Sequence, residues 1–174
     1  MGREAGSPVP DKRLAAVCGL FCPSCTLYIG THEDSARLSA LAKRSGRRVE
    51  ELVCHGCRSD KRSFFCESLC LMTKCSARKG VEFCVECSDY PCEDLKKFQA
   101  QMPHRAELWD SLNRIKENGF EKWFIEMLAH YSCPSCGIIN AAYDSKCRKC
   151  GAEPSSAYSA LHRDELQRYF EKNK

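Results

Sequence analysis

Fifteen cysteines are the residues of this chain best suited to chemistry, and their spacing favours metal binding. Two cysteines separated by two residues can bind one ion together, whereas a disulfide between them would be strained. An odd number of cysteines also cannot be consumed by a closed set of intramolecular disulfides. Five pairs have this spacing: Cys22/Cys25, Cys54/Cys57, Cys84/Cys87, Cys133/Cys136 and Cys147/Cys150. We therefore expect thiolate–metal sites rather than disulfide bridges.

The strongest motif lies near the C-terminus, where two Cys-x-x-Cys-Gly knuckles stand ten residues apart. They are Cys133-Pro-Ser-Cys136-Gly and Cys147-Arg-Lys-Cys150-Gly. In each knuckle the glycine can adopt a backbone conformation that is strained for other residues, which allows a tight turn beside the sulfurs. Together the two pairs provide four thiolates. That is enough for a closed tetrahedral zinc site, which leaves no position for a substrate.

Over about residues 132–152 the chain resembles the zinc-ribbon family. Asn140 also fits the spacing of Ran-binding-type zinc fingers, although that family carries a tryptophan where this chain has Tyr131. The residues with which those fingers bind RNA or ubiquitin are not evident in this sequence. The resemblance implies a short β ribbon around one zinc ion, with a structural or protein-binding role rather than a catalytic one.

The other eleven cysteines lie between residues 18 and 92. Ten of them follow the pattern of a known family: Cys18, Cys22, Cys25, Cys54, Cys57, Cys70, Cys75, Cys84, Cys87 and Cys92. Their order includes a Cys-Gly opening, a Cys-x-Gly-Cys pair and a final Cys-x-x-Cys-x-x-Tyr-Pro-Cys run. Over about residues 16–98 it resembles an uncharacterised cysteine-rich prokaryotic family of unknown function. The resemblance implies no activity.

Ligand arithmetic limits the number of metal ions in this N-terminal part. The ten matched cysteines make two four-thiolate sites with two sulfurs left over. Cys66 falls outside the family pattern, so it is either a spare thiol or an extra ligand. With Cys66 and one histidine the set would complete a third site, and His55, between two cysteines, is a better candidate than His32. The sequence thus predicts two to four zinc ions in the whole chain, and it leaves open which cysteines share an ion.

The identity of the N-terminal metal also stays open. Sites made only of thiolates suit zinc or iron–sulfur clusters. The spacing Cys18-x3-Cys22-x2-Cys25 resembles that with which radical-SAM enzymes hold a [4Fe–4S] cluster, but the chain lacks the length and the alternating strands and helices of their catalytic domain. A [4Fe–4S] cluster with a fourth cysteine ligand is therefore the alternative to zinc.

Composition and charge narrow the class of protein. Leu, Ile, Val and Phe together number 33 of 174 residues, so the apolar core must be small and metal ions are expected to supplement it. The formal net charge is +4, and each zinc ion with four thiolates contributes −2, so the loaded protein would carry between 0 and −4. Nucleic-acid binding is then an unfavoured alternative, limited to local patches at Lys43-Arg44, Arg47-Arg48 and Arg58 to Arg62.

Apolar periodicity and capping residues predict a mainly α, metal-stabilised fold. Thr31 and Asp34 resemble a capping box that starts a helix ending at Gly46, and further helices are expected over Val49–Val53 and from Pro91. A helical hairpin breaks at Asn118-Gly119, and a last helix spans 155–172. The expected organisation is a flexible tail (1–14), a cysteine-rich domain with irregular loops (15–102), the hairpin (103–131), a zinc ribbon (132–153) and a C-terminal helix (154–174).

These features favour a cytoplasmic, non-catalytic zinc protein that acts as an interaction or adaptor module for a protein partner. The chain has no signal-peptide run and no apolar stretch of membrane-helix length, so we expect no membrane association. An iron–sulfur electron carrier or sensor is the second hypothesis. A metal-dependent enzyme or metal-handling accessory is the third, although no general base stands beside the cysteines.

Overall fold

The computed structural model describes residues 9–173, and these form a mainly helical fold, as predicted. None of the described helices is long and apolar enough to cross a membrane. Short 3-10 turns at Lys12–Leu14 and Cys22–Ser24 precede the first α-helix, and further 3-10 or π turns lie between later α-helices. The α-helices are α1 (Thr26–His32), α2 (Ser35–Ser45), α3 (Val49–Leu52), α4 (Leu71–Lys79), α5 (Glu93–Ala100), α6 (Leu108–Asn118), α7 (Phe120–Tyr131), α8 (Ala157–Leu161) and α9 (Arg163–Lys172).

The expected N-terminal tail is only partly covered, because residues 1–8 lie outside the described residues. Asp11 accepts a hydrogen bond from the Arg13 amide and so caps the turn at Lys12–Leu14. The Lys12 ammonium pairs with Glu82 at 2.9 Å. The last part of the predicted tail is therefore attached to the body of the protein.

Helix α2 ends at Gly46, as predicted, but its N-terminal cap differs from the prediction. Asp34 alone caps it by accepting from the Arg37 amide at 3.0 Å. Thr31 belongs to α1, where its hydroxyl donates to the Leu27 carbonyl at 2.8 Å and accepts from the Cys54 amide at 2.9 Å. The expected Thr31–Asp34 capping box is therefore wrong, because Thr31 connects α1 to the cysteine loop.

Two helices occur where the sequence predicts only loops. The first, α1, packs closely on α2, and a Cβ atom at Gly30 would lie 3.1 Å from that of Leu38. The second, α4, buries Met72 and ends at Gly80. Short helices of this kind gain their stability from tertiary packing rather than from intrinsic propensity, so local sequence patterns do not reveal them.

The main core joins the N-terminal cysteine loop to the predicted hairpin, α6 and α7. The ring of Phe21 lies 5.2 Å from that of Phe124 and 5.8 Å from that of Tyr131, and Trp123 is fully buried beside them. Each of these aromatic side chains buries a large apolar area, so this contact is a major source of stability. It also fixes the cysteines that flank Phe21 against the hairpin.

The C-terminal segment differs from the single helix predicted over 155–172. It is broken at His162 into α8 and α9, with Ser156 as the cap of α8. His162 Nε2 donates a hydrogen bond to the partly buried Glu107 carboxylate at 2.9 Å, and this contact coincides with the break. Tyr158 and Leu166 turn one face of the two helices into the main core.

The predicted β ribbon is not confirmed. Among the described residues of this segment the only strand-like pairing is one antiparallel bridge, between Ser132 and Ile139. The backbone amides of the knuckles instead close turns around the cysteines, as at Gly137 and Gly151. Hydrogen bonds used in this way cannot form a regular ladder.

Candidate metal centres

The four C-terminal cysteines meet at one point. The sulfurs of Cys133, Cys136, Cys147 and Cys150 all lie within 4.8 Å of one another. Two of the separations, Cys133 to Cys150 and Cys136 to Cys147, are 3.6 Å. Within residues 9–173 this is the only group of three or more cysteine, histidine or acidic side chains brought this close, so it could hold a metal ion.

The two knuckles place their sulfurs with the same backbone geometry. The Gly137 amide donates to the Cys133 carbonyl and the Gly151 amide to the Cys147 carbonyl, both at 2.9 Å. Each glycine has a φ near +73°, in the left-handed region that glycine adopts without a Cβ clash. In the first knuckle the Ser135 amide also donates to the Cys133 sulfur at 3.4 Å. The repeated geometry explains why the Cys-x-x-Cys-Gly pattern predicts this site from sequence alone.

The pKa values of these four thiols differ, so the thiols do not lose their protons equally readily. Burial raises the pKa of Cys147, but the amides of Cys150 and Lys149 outweigh it and lower that pKa to about 6. For Cys150 the Ala152 amide lowers the pKa, yet the thiols of its three partners raise it to about 12. Deprotonating all four sulfurs therefore requires a positive charge among them, which a divalent cation supplies.

Asn140 connects the two knuckles to the rest of the segment, and it is fully buried. Its amide nitrogen donates to the carbonyls of Ile138 at 3.2 Å and Ser155 at 2.9 Å. Its side-chain oxygen accepts from the Arg148 amide at 3.0 Å. Through three hydrogen bonds one side chain sets the distance between the first knuckle, the second knuckle and the start of α8.

The four-cysteine segment is attached to the N-terminal half by polar contacts. Arg37 of α2 pairs with Asp144 at 3.0 Å, with both side chains mostly buried. Arg148, inside the second knuckle, pairs with Glu33. The Ala142 amide donates to the Ser24 carbonyl at 3.2 Å. These contacts fix the C-terminal site relative to the first N-terminal cysteines.

The eleven N-terminal cysteines are all free, and we divide them into two neighbourhoods by whether or not they line one cavity. The first surrounds a cavity of about 40 Å³ and contains Cys75, Cys84, Cys87 and Cys92. The second contains the remaining seven, Cys18, Cys22, Cys25, Cys54, Cys57, Cys66 and Cys70. Within the described residues neither neighbourhood holds three ligand atoms mutually within 4.8 Å, so the structure does not bring these predicted ligands together as closely as the C-terminal four.

Burial and mutual repulsion dominate the electrostatics of these thiols. Burial raises the pKa of Cys18 well above its ordinary value, and the charges of Cys57, Cys70 and Cys84 raise it further. Burial likewise raises the pKa of Cys84 to about 12, with Cys92 the strongest of its charged neighbours. Thiols held neutral in this way ionise when a metal ion replaces their protons.

Cys66 and His55 differ in their surroundings. Cys66 has a pKa of about 12 because of burial and of the nearby Cys25 and Cys54, which places it among the other thiols rather than apart from them. His55 is exposed, and its ring lies 4.9 Å from that of His32. The two histidines that the sequence offers as extra ligands therefore contact each other, beside the second neighbourhood of cysteines.

The sequence does not predict one partly buried polar cluster, which is centred on Glu107. Glu107 lies between His130 at 2.8 Å and His162 at 2.9 Å, with each side chain about 18–19% exposed. Burial acts to raise the pKa of Glu107, but its hydrogen bonds with the two histidines lower it below the ordinary value. The three residues are far apart in the chain and form no motif, so no local signal could have identified them.

These features define a small, mainly helical, cysteine-rich protein with a four-cysteine group that could hold a metal ion. Residues 14–97, just under half of the chain, match a family described as "Protein of unknown function (DUF3795)". This match confirms the resemblance indicated by the N-terminal cysteine pattern, and it assigns no activity. No curated protein and no solved structure matches the chain.

Proposed function

We propose that the chain is a zinc protein in which Cys133, Cys136, Cys147 and Cys150 hold one structural zinc ion. The supporting observation is the pair of 3.6 Å sulfur–sulfur separations. A tetrahedron with zinc–sulfur bonds of about 2.3 Å has edges of about 3.8 Å, close to these values. A disulfide would need about 2.05 Å.

The proposed role is that of a non-catalytic adaptor that binds a protein partner in a reducing compartment such as the cytoplasm. Four protein ligands complete the coordination of zinc, so no position remains for water or substrate. Free thiols in this number are typical of reducing compartments. The ion would stabilise a segment that Arg148 and Asp144 attach to the first half of the chain. The site then serves to fix a surface rather than to carry out a reaction.

Metal content of the full chain tests the zinc assignment. Protein purified without a tag under anaerobic conditions is compared with Cys133→Ser and with Lys149→Ala, an exposed non-ligand change in the second knuckle. We expect Cys133→Ser to lose one zinc per chain and Lys149→Ala to lose none. Unchanged zinc in Cys133→Ser would overturn the assignment.

The absence of an open coordination position can be tested separately. Cobalt replaces zinc at the C-terminal site, and its absorption spectrum is recorded with and without imidazole or thiocyanate. A site filled by four thiolates should give the same spectrum in all cases. A spectral change on adding either small ligand would show an exchangeable position and would favour the enzyme hypothesis over the adaptor.

An iron–sulfur cluster in the N-terminal half is the second candidate function. The observation that favours it is the wider spacing of those thiols, no three of which lie within 4.8 Å of one another among the described residues. A cluster carries its thiolates on separate iron atoms, so its ligands stand further apart than those of a single ion. Iron and sulfide in anaerobic protein, with visible absorbance, would support an electron carrier or sensor.

Nucleic-acid binding is not proposed, because several of the basic residues considered for it already have partners. Arg47 and Arg48 each reach Glu51 at 3.5 Å. Arg58 donates to the backbone carbonyls of Ala15 and Glu82. The Glu51 carboxylate offsets part of the charge of Arg47 and Arg48, and the carbonyls occupy hydrogen-bond donors of Arg58 that would otherwise face phosphate.

A further inference from the structure

The cavity of about 40 Å³ between α4 and α5 is lined by four cysteines from three different elements. Cys75 comes from α4, Cys84 and Cys87 from the turn that follows it, and Cys92 from the cap position of α5. Of the described cysteines, no others line this cavity. Because α4, the turn after it and the start of α5 surround one cavity, four of the eleven N-terminal thiols face the same space, a selection that the sequence spacing does not make.

The backbone around Cys87 is arranged as it is around a C-terminal ligand. The amide of Asp89, two residues after Cys87 in the chain, donates a hydrogen bond to the Cys87 sulfur at 3.5 Å. In the C-terminal site the Ser135 amide donates to the Cys133 sulfur with the same spacing, at 3.4 Å. Amide donors of this kind stabilise a thiolate over a thiol, which is the form that binds metal.

Positive charge is also present at this cavity. Lys79 of α4 lines it and pairs with Asp89. Cys92 lies directly before the first turn of α5, where the helix dipole favours negative charge. Met72 of α4 and Leu95 of α5 add apolar side chains to the lining. Four thiolates with one divalent cation carry a net charge of −2. The Lys79 ammonium and the helix N-terminus oppose this charge, but the carboxylates of Asp89 and Asp94 cancel much of their effect, so the four converging thiols carry the assignment.

We propose that Cys75, Cys84, Cys87 and Cys92 bind one metal centre, separate from the C-terminal site. The ligand is a soft, thiolate-binding metal, supplied either as a zinc ion or as an iron–sulfur cluster. A zinc ion would draw the sulfurs to about 3.8 Å from one another, whereas a cluster would hold them further apart. The assignment is independent of which metal occupies the C-terminal four cysteines.

Metal, iron and sulfide content of anaerobically purified full-length variants tests this grouping. Cys75→Ser and Cys92→Ser should each lose one centre, and the double variant should lose no more than either single variant. Ser88→Ala, an exposed change beside Cys87, is the matched control and should lose none. Loss of one zinc identifies an ion, and loss of iron with sulfide identifies a cluster; both support the shared centre. Additive losses in the double variant, or no loss in any, would overturn it.

Thiol alkylation of the wild-type protein provides a test that does not depend on the folding of any variant. During a stepwise chelator titration, mass spectrometry follows the modification of each cysteine. The four cavity cysteines should be protected at the start and become reactive together. Alkylation of one of them while the other three stay protected would contradict the grouping. Cys133→Ser tests only the C-terminal zinc, so failure of that proposal and failure of this one give different results.

Discussion

The side-chain oxygen of Asn140 accepts a hydrogen bond from the backbone amide of Arg148 at 3.0 Å, and so joins the two cysteine knuckles through one buried amide. The other end of the same side chain donates to Ser155, at the start of the C-terminal helices. Both knuckles must keep their separation for four sulfurs to meet. Asn140 is therefore a positioning residue for the proposed metal site, and its own hydrogen bonds go to backbone groups.

If the C-terminal site holds zinc as proposed, Asn140→Ala should weaken its binding by about 10- to 100-fold, the usual effect of losing a residue that orients metal ligands. The change removes three hydrogen bonds and leaves the Ser155 carbonyl without its donor. Competition with a zinc chelator measures the affinity. Asn113→Ala, on the exposed face of α6, is the control and should bind zinc as the wild type does. Equal affinity in the two variants would contradict the positioning role.

Glu107→Gln should lower the free energy of unfolding by about 1–3 kcal/mol at neutral pH, because it weakens two hydrogen bonds at a mostly buried position. Glu107 contacts His130 and His162, and so connects α7 to the break between α8 and α9. Urea unfolding followed by circular dichroism measures the change. Glu117→Gln, an exposed substitution on α6, should have little effect. If both substitutions had the same small effect, the cluster would have no structural role.

Features with a local cause were predictable from the sequence. The end of α2 at Gly46 and the break between α6 and α7 at Gly119 follow from the backbone preferences of glycine. The C-terminal four cysteines follow from two short knuckles, each of which builds its own geometry. The resemblance of the N-terminal half to a family of unknown function was also readable from the order of its cysteines.

Features that depend on contacts between distant residues were not predictable. The break at His162 accompanies a contact with Glu107, which lies 55 residues earlier. Helix α1 packs on α2 through Gly30, a residue that lowers helix propensity when taken alone. The set of cysteines around the cavity depends on where the chain places α4, the turn that follows it and the start of α5. The spacing of the cysteines in the sequence gives the number of candidate ligands. Only the packing of the folded chain indicates which of these cysteines are neighbours.

His104 should make the protein less stable as the pH falls below about 6.5. Burial lowers the pKa of His104 to about 3, and its Nδ1 lies 2.6 Å from the Tyr143 hydroxyl. Between pH 6.5 and about 3 the unfolded chain binds a proton at this histidine that the folded chain does not bind. The free energy of unfolding therefore decreases as the pH falls. From pH 7.5 to 5.5 the loss should be about 1 kcal/mol.

The variant His104→Gln should lack this part of the pH dependence, and His32→Gln, at an exposed position, should keep it. Urea unfolding of all three proteins at pH 7.5, 6.5 and 5.5 measures the difference. Any metal lost in acid affects the three proteins alike and cancels in the comparison. Parallel curves for His104→Gln and the wild type would show that folding does not shift the pKa of His104, so that it takes up its proton near pH 6.5 in the folded chain as well.

Gly19→Ala should destabilise the protein more than Gly80→Ala, although both glycines have a positive φ, of 82° and 67°. A Cβ atom at Gly19 would lie 2.9 Å from Cγ of the fully buried Leu112, whereas nothing lies within 4 Å of one at Gly80. The left-handed conformation costs about 1–2 kcal/mol in each variant. The clash in the core should add about 1–3 kcal/mol at Gly19 alone. Urea midpoints compare the two, and equal losses would mean that the loop before Phe21 can move away from α6.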